Sequence, residues 1–164
     1  MVSGGDEELI RVSEDKKQQV LIVCTGNACR SQMAEAIWRH EAGDRYEVFS
    51  AGTFPAGVHP LARQVVEELG IDMSGQFSKS VYAMAERPFD LVITVCDSAK
   101  EVCPIFPRAR RQLHWPFQDP VGFVGTIEER LPEFRRVREE IRRKIREFLG
   151  QESAESANEQ ASFP

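Results

Sequence analysis

The chain has 164 residues, 41% of them hydrophobic and 29% charged, which suits one globular domain with a core of its own. Its formal net charge of −5 argues against a nucleic-acid binder held by phosphate neutralisation, and no apolar run approaches the length that spans a bilayer. The polar start lacks the apolar centre of a signal peptide, so a cytoplasmic protein is expected, with its four cysteines reduced rather than paired as structural disulfides.

Residues 1–18 are charged and glycine-containing, and residues 151–164 are rich in Ser, Glu, Ala and Asn with little to bury. Both are expected to be flexible tails around a single domain at 19–150. Within it, Val20-Leu21-Ile22-Val23 is a continuous apolar run, the mark of a strand buried on both faces of a parallel sheet. A glycine-containing turn follows, then a helix over 31–42 carrying Met33, Ala34, Ile37 and Trp38. Residues 46–49 form a second strand that ends at Ser50-Ala51-Gly52, and 61–69 a helix stopped by Gly70. Residues 91–95 read as a third buried strand and 112–117 as a fourth. In the last helix Leu131, Phe134, Val137, Ile141, Ile145 and Phe148 recur at helical spacing, and Thr126 with Glu129 offers a capping box unless Pro132 sets the first turn. This alternation predicts a three-layer α/β/α domain around a four-stranded parallel sheet. Ligands of such sheets bind beyond the carboxyl ends of the strands.

Cys24 stands at that position, heading the loop Cys24-Thr25-Gly26-Asn27-Ala28-Cys29-Arg30-Ser31. Gly26 permits a tight turn and Asn27 tolerates a left-handed conformation, so the loop's N–H groups and the next helix's N-terminus converge on one anion site. The same field favours a thiolate at Cys24. Arg30 can grip two oxygens of a tetrahedral oxyanion, and Ser31 can donate a hydrogen bond to the sulfur. A nucleophile at the base of an electropositive cradle fits attack on phosphorus or arsenic. Asp119-Pro120, in the loop after the fourth strand, supplies a candidate general acid at the same sheet edge.

These residues, together with Ala34-Glu35 and Ser50-Ala51-Gly52, resemble the low-molecular-weight protein tyrosine phosphatase superfamily over about residues 19–149. The resemblance implies Cys24 as nucleophile, Arg30 as oxyanion clamp and Asp119 as general acid. Its members divide by what attacks second. In a phosphatase, water hydrolyses the cysteinyl-phosphate; in an arsenate reductase, a second thiol attacks the nucleophile's sulfur, expels arsenite and leaves a disulfide.

Cys96 closes the third strand as Cys24 closes the first, so both reach the same edge, and Cys103 follows seven residues later. If that stretch is helical the two cysteines lie roughly 10 Å apart along the axis, whereas a disulfide needs α-carbons within about 7 Å. The segment must therefore unwind for a relay from Cys24 to Cys96 to Cys103, and Pro104 keeps any helix there short. The wording of this segment and of residues 27–35 resembles the thioredoxin-coupled arsenate reductase branch. Phosphatases of the superfamily usually carry proline where Gln32 stands, and aromatic residues where Val121-Gly122 follow Asp119-Pro120.

The resemblance thus implies arsenate as substrate, phosphate or sulfate as its mimics, and thioredoxin as reductant, with no tightly bound cofactor. The alternative is a phosphatase acting on phosphotyrosine or small phosphomonoesters through Cys24, Arg30 and Asp119. A non-catalytic anion-binding or redox-sensing module is a third reading, opposed by the intact set of those three residues. Reductases of this branch can hold a monovalent cation, and Asn27, Glu35 and Ser50 match its positions; the remaining acidic position is Lys79, whose ammonium can reach toward Glu35 in the cation's place. No potassium requirement is expected. Cys29 is expected to be a packed loop residue, His40 a surface residue, His59 part of a turn and His114 a rim residue. The histidines and cysteines do not fall at zinc-site spacings, and no segment reads as a strong dimer interface, so a monomer is expected.

Overall fold

The computed structural model describes residues 16–95 and 105–161, with side chains through Glu155. Strand β1 (Gln18–Cys24) is central, with Val20 through Val23 almost fully buried. Helix α1 (Arg30–Ala42) and strand β2 (Tyr46–Gly52) follow, then helix α2 (Pro60–Glu67), strand β3 (Leu91–Thr94), strand β4 (Arg111–His114) and helix α3 (Ile127–Ala161). All pairings are parallel and the order is β2-β1-β3-β4. The chain moves from β1 outward to β2, then back past β1 to β3. Such a reversal opens a crevice at the carboxyl end of β1, where Cys24 lies.

The alternation of β1 divides the core. Val20, Ile22 and Cys24 face a cluster built with Met33, Ile37 and Trp38 of α1, Leu61 and Val65 of α2, and Phe134, Ile141 and Ile145 of α3. Leu21 and Val23 face Val81, Phe89, Val92 and Phe106, so among the described residues this second face is covered by the short 3₁₀ turn at Val81–Ala83 and by loop segments. Each fully buried Val, Leu or Ile contributes roughly 1.5–3 kcal/mol.

The four-stranded parallel sheet agrees with the sequence reading, with two differences at its margin. Strand β4 is shorter than the expected 112–117 and mostly exposed. Pro116 lacks the N–H needed to extend the ladder beyond Trp115, whose own N–H reaches Thr94 O at 2.8 Å. The expected tail at 151–164 is corrected more strongly: α3 runs unbroken through Gly150 to Ala161. Its Ala, Glu and Gln residues are strong helix formers, and Glu152 and Ser153 dock on Arg111 and Arg45 at 3.0 and 3.3 Å. Thr126 caps this helix, its hydroxyl accepting from Glu129 N at 3.2 Å and donating to the Glu129 carboxylate at 3.1 Å, so Pro132 lies inside the helix rather than at its start. Expectations for residues 1–15 and 162–164 lie outside the described residues. No helix among the described residues is long and apolar enough to cross a membrane.

Candidate active site

The carbonyls of residues 25–29 are all engaged by hydrogen-bond donors. Thr25 O accepts from Phe54 N at 2.8 Å, Gly26 O from Ala56 N at 2.9 Å and Ala28 O from His59 N at 2.9 Å. Asn27 O accepts from Gln32 Nε2 at 3.0 Å and Ser78 Oγ at 2.7 Å, and Cys29 O from Met33 N at 2.9 Å. With the acceptors tied to a strap at 54–59 and to α1, the peptide dipoles present their positive ends inward, as an anion cradle requires.

Asn27 takes the left-handed conformation, with φ of 45°. Gly26 is less critical than the sequence suggested: a Cβ built there would meet only ordinary contacts at 3.7 Å. The glycine that the loop demands is Gly52, where a Cβ would stand 2.6 Å from Thr25 O and 2.7 Å from Asn27 N. The end of β2 thus braces the loop by direct backbone approach.

Cys24 Sγ is buried and 2.8 Å from Ser31 Oγ. Arg30, also buried, donates to Val95 O and Phe117 O at 3.2 Å each, and its Nη2 lies 3.6 Å from Asp119 Oδ2. Asp119 is 43% exposed and its other oxygen accepts from Val121 N at 3.1 Å, which fixes the carboxyl at the mouth while leaving it open to solvent protons. Cys29 is buried beside them. Burial first, then the neighbouring Asp119 and Cys24, pushes its thiol well above the usual cysteine range, a poor nucleophile rather than a second reactive centre.

Behind the sulfur runs a continuous polar chain. Asn27 Nδ2 donates to Ser31 Oγ at 2.8 Å and to Ser50 Oγ at 2.9 Å, and Ser50 Oγ donates to Glu35 Oε1 at 2.7 Å. Glu35 also meets Arg39 Nη2 at 3.0 Å and Lys79 Nζ at 3.7 Å. The expected reach of Lys79 toward Glu35 is therefore present. Burial draws the Lys79 ammonium below the usual lysine range, and Glu35 pulls it back up.

Cys96 and Cys103, the remaining members of the expected relay, lie outside the described residues. The described chain stops at Val95, whose N–H bonds to Val23 O at 2.9 Å. His40 is exposed and His114 Nδ1 lies 2.8 Å from Thr94 Oγ1, in keeping with peripheral roles. His59 does more than the sequence suggested. Its N–H holds Ala28 O, its Nδ1 accepts from Leu61 N at 3.1 Å to cap α2, and its ring packs on Phe134 with centroids 5.0 Å apart. The local signal was His followed by Pro at a helix start, since proline suits the first helical position.

A parallel four-stranded domain with a thiol at the base of an anion loop defines a class, and comparison agrees with it. Residues 19–161 match the model of the low molecular weight phosphotyrosine protein phosphatase family, and the chain belongs to that family. Within it, the chain is 43% identical over 132 residues to the arsenate reductase of Halalkalibacterium halodurans, covering 80% of this chain and 95% of that one. Among solved structures it is similar to an arsenate reductase in its phosphate-binding state, at a TM-score of 0.70 and 30% identity over 82% of this chain and 98% of the other. It is also similar to the thioredoxin-dependent arsenate reductase of Corynebacterium glutamicum, at a TM-score of 0.56 and 32% identity over 87% of this chain and 70% of that one.

Proposed function

We propose that the protein is an arsenate reductase working through a thiol relay, with thioredoxin as its reductant. Cys24 thiolate attacks arsenic while the loop N–H groups and Arg30 hold the oxygens, and Asp119 gives its proton to the departing oxygen, which leaves as water. Cys96 thiolate then attacks the sulfur of Cys24. The As–S bonding pair goes to arsenic, which leaves as arsenite, and a Cys24–Cys96 disulfide forms. Cys103 attacks the sulfur of Cys96, releasing Cys24 as thiolate, and a dithiol such as thioredoxin reduces the Cys96–Cys103 disulfide. Arsenic gains two electrons and two thiols lose them.

The observation that carries this reading is the bonded pair of Val23 O on β1 and Val95 N, the residue after β3, 2.9 Å apart. In the sequence, Cys24 is the residue after Val23 and Cys96 the residue after Val95. Similarity to arsenate reductases at 43% identity supports the same chemistry. So does the acid loop, where Val121 and Gly122 build no aromatic wall for a phosphotyrosine ring.

The reading is tested by following NADPH oxidation with thioredoxin and thioredoxin reductase, with and without arsenate, in wild type, Cys96→Ser and Cys103→Ser. Multiple arsenate-dependent turnovers in wild type and none in either variant are expected. Hydrolysis of p-nitrophenyl phosphate without arsenate-dependent NADPH loss would make the protein a phosphatase, and silence in both assays a binding module.

A further inference from the structure

The polar chain behind Cys24 has a direction, and the side chain of Lys79 stands at its far end. Lys79 N donates to Asn27 Oδ1 at 2.8 Å, which settles the orientation of the Asn27 amide, because a backbone N–H can only donate. The amide nitrogen must then face the two serines, giving one hydrogen to Ser31 Oγ and one to Ser50 Oγ. Ser50, accepting from Asn27, spends its own proton on Glu35 Oε1 at 2.7 Å. Ser31, also accepting from Asn27, has its proton available for Cys24 Sγ at 2.8 Å. The senses at Asn27 and Ser31 hold whatever Glu35 does, because an amide N–H can only donate. Glu35 stands between two cations, Arg39 at 3.0 Å and Lys79 at 3.7 Å.

We infer that Lys79 is a positioning residue for the reaction: its backbone N–H fixes the Asn27 amide that aims the Ser31 hydroxyl at Cys24, and its ammonium supplies positive charge at the far end of the same network, which favours attack by the sulfur. A monovalent metal ion does not fit here. Glu35 Oε1 already meets the ammonium, whose Nζ also donates to Phe77 O at 2.7 Å and lies 4.6 Å from the Phe77 ring centroid, so a second cation at Glu35 would face repulsion. The protein thus carries its cation covalently. The inference deepens the reading above because it concerns the same thiol, but its test reads the state of the sulfur whether or not arsenate is the substrate.

Lys79, Glu35 and Arg39 line a cleft of about 610 Å³, through which a small amine can reach the carboxylate once the lysine is truncated. The experiment measures alkylation of Cys24 by iodoacetamide at neutral pH, quantified on its own peptide, in wild type, Lys79→Ala and Lys79→Arg. Wild type is expected to react at the same rate in potassium, sodium and choline chloride of equal ionic strength. Lys79→Ala is expected to react about five-fold more slowly, the scale of one charge lost from a buried network. Methylammonium should restore its rate saturably where choline does not, and Lys79→Arg should react like wild type. A merely structural lysine would lower the melting temperature without selective rescue by a small ammonium ion. Potassium-specific acceleration of wild type, or an unchanged rate in Lys79→Ala, would overturn the inference. If the alanine variant fails to fold, the wild-type salt series and Lys79→Arg decide it: salt-indifferent alkylation at matching rates supports it, and potassium dependence of either overturns it.

Discussion

The hydroxyl oxygen of Ser31 lies 2.8 Å from the sulfur of Cys24, and the same oxygen accepts a hydrogen bond from Asn27 Nδ2 at 2.8 Å. The serine proton is thereby directed to the sulfur, and the contact becomes charge-assisted once that sulfur is a thiolate. Ser31→Ala removes this donor and leaves one hydrogen of a buried amide unpaired. Cys24 alkylation and kcat/KM for arsenate should both fall about ten-fold, with a stability loss of about 1–2 kcal/mol in urea titration. Unchanged alkylation would show that the serine does not stabilise the thiolate.

Asp119 is solvent-accessible, 3.6 Å from Arg30 Nη2, and caps the short turn after it through Val121 N. Asp119→Asn can keep the cap but has no proton to give. Turnover should fall about 10²-fold, within the range of a lost general acid, while the unfolding midpoint stays close to wild type. A variant as active as wild type in steady-state assays would remove Asp119 from the chemistry.

What the sequence made legible followed from local chemistry. A run of four apolar residues is enough to place β1, and the loop is recognisable because Cys24, Asn27 and Arg30 each have a local reason to be there. Asn27 does adopt the left-handed turn. Contacts between distant segments were harder to read. Gly26 drew attention by lying in the loop, yet the close approach belongs to Gly52, whose reason is the distant backbone of Thr25 and Asn27. The helix beyond Gly150 is held in part by Arg111 and Arg45, which composition alone does not reveal. Lys79 was the exception: a lone cation among matching acidic and polar positions signalled its partner, Glu35.

Gly52 gives the packing prediction. In Gly52→Ala the new methyl would collide with Thr25 O and Asn27 N, both backbone atoms of the loop. Relief requires moving the cradle, so a loss of about 1–3 kcal/mol in urea unfolding should accompany weaker phosphate inhibition of arsenate turnover. Gly26→Ala, with only ordinary contacts at 3.7 Å, should lose less by both measures.

His59 gives the pH prediction. Burial first, then Arg130 on α3, holds its imidazole below the usual histidine range, and Asp119 in the acid loop opposes them. The fold favours the neutral ring, whose Nδ1 must accept from Leu61 N. The unfolded chain therefore binds a proton first as pH falls. The stability carried by His59 is present above its unfolded value near 6.5 and is lost as pH drops from there through the lower folded value. His59→Asn can cap without titrating. Between about pH 7.5 and 5 its melting temperature should decline less steeply than that of wild type; equal slopes would contradict the assignment.

The central claim is that one chain converts arsenate to arsenite with electrons from its own thiols. The most direct measurement is a single turnover: one equivalent of arsenate, fully reduced protein, no external thiol, then acid quench, arsenic speciation and disulfide mapping. The account predicts one arsenite per chain, loss of two of the four alkylatable thiols, and a peptide pair joined through Cys96 and Cys103. Arsenate recovered unchanged with all four thiols still reactive would contradict it.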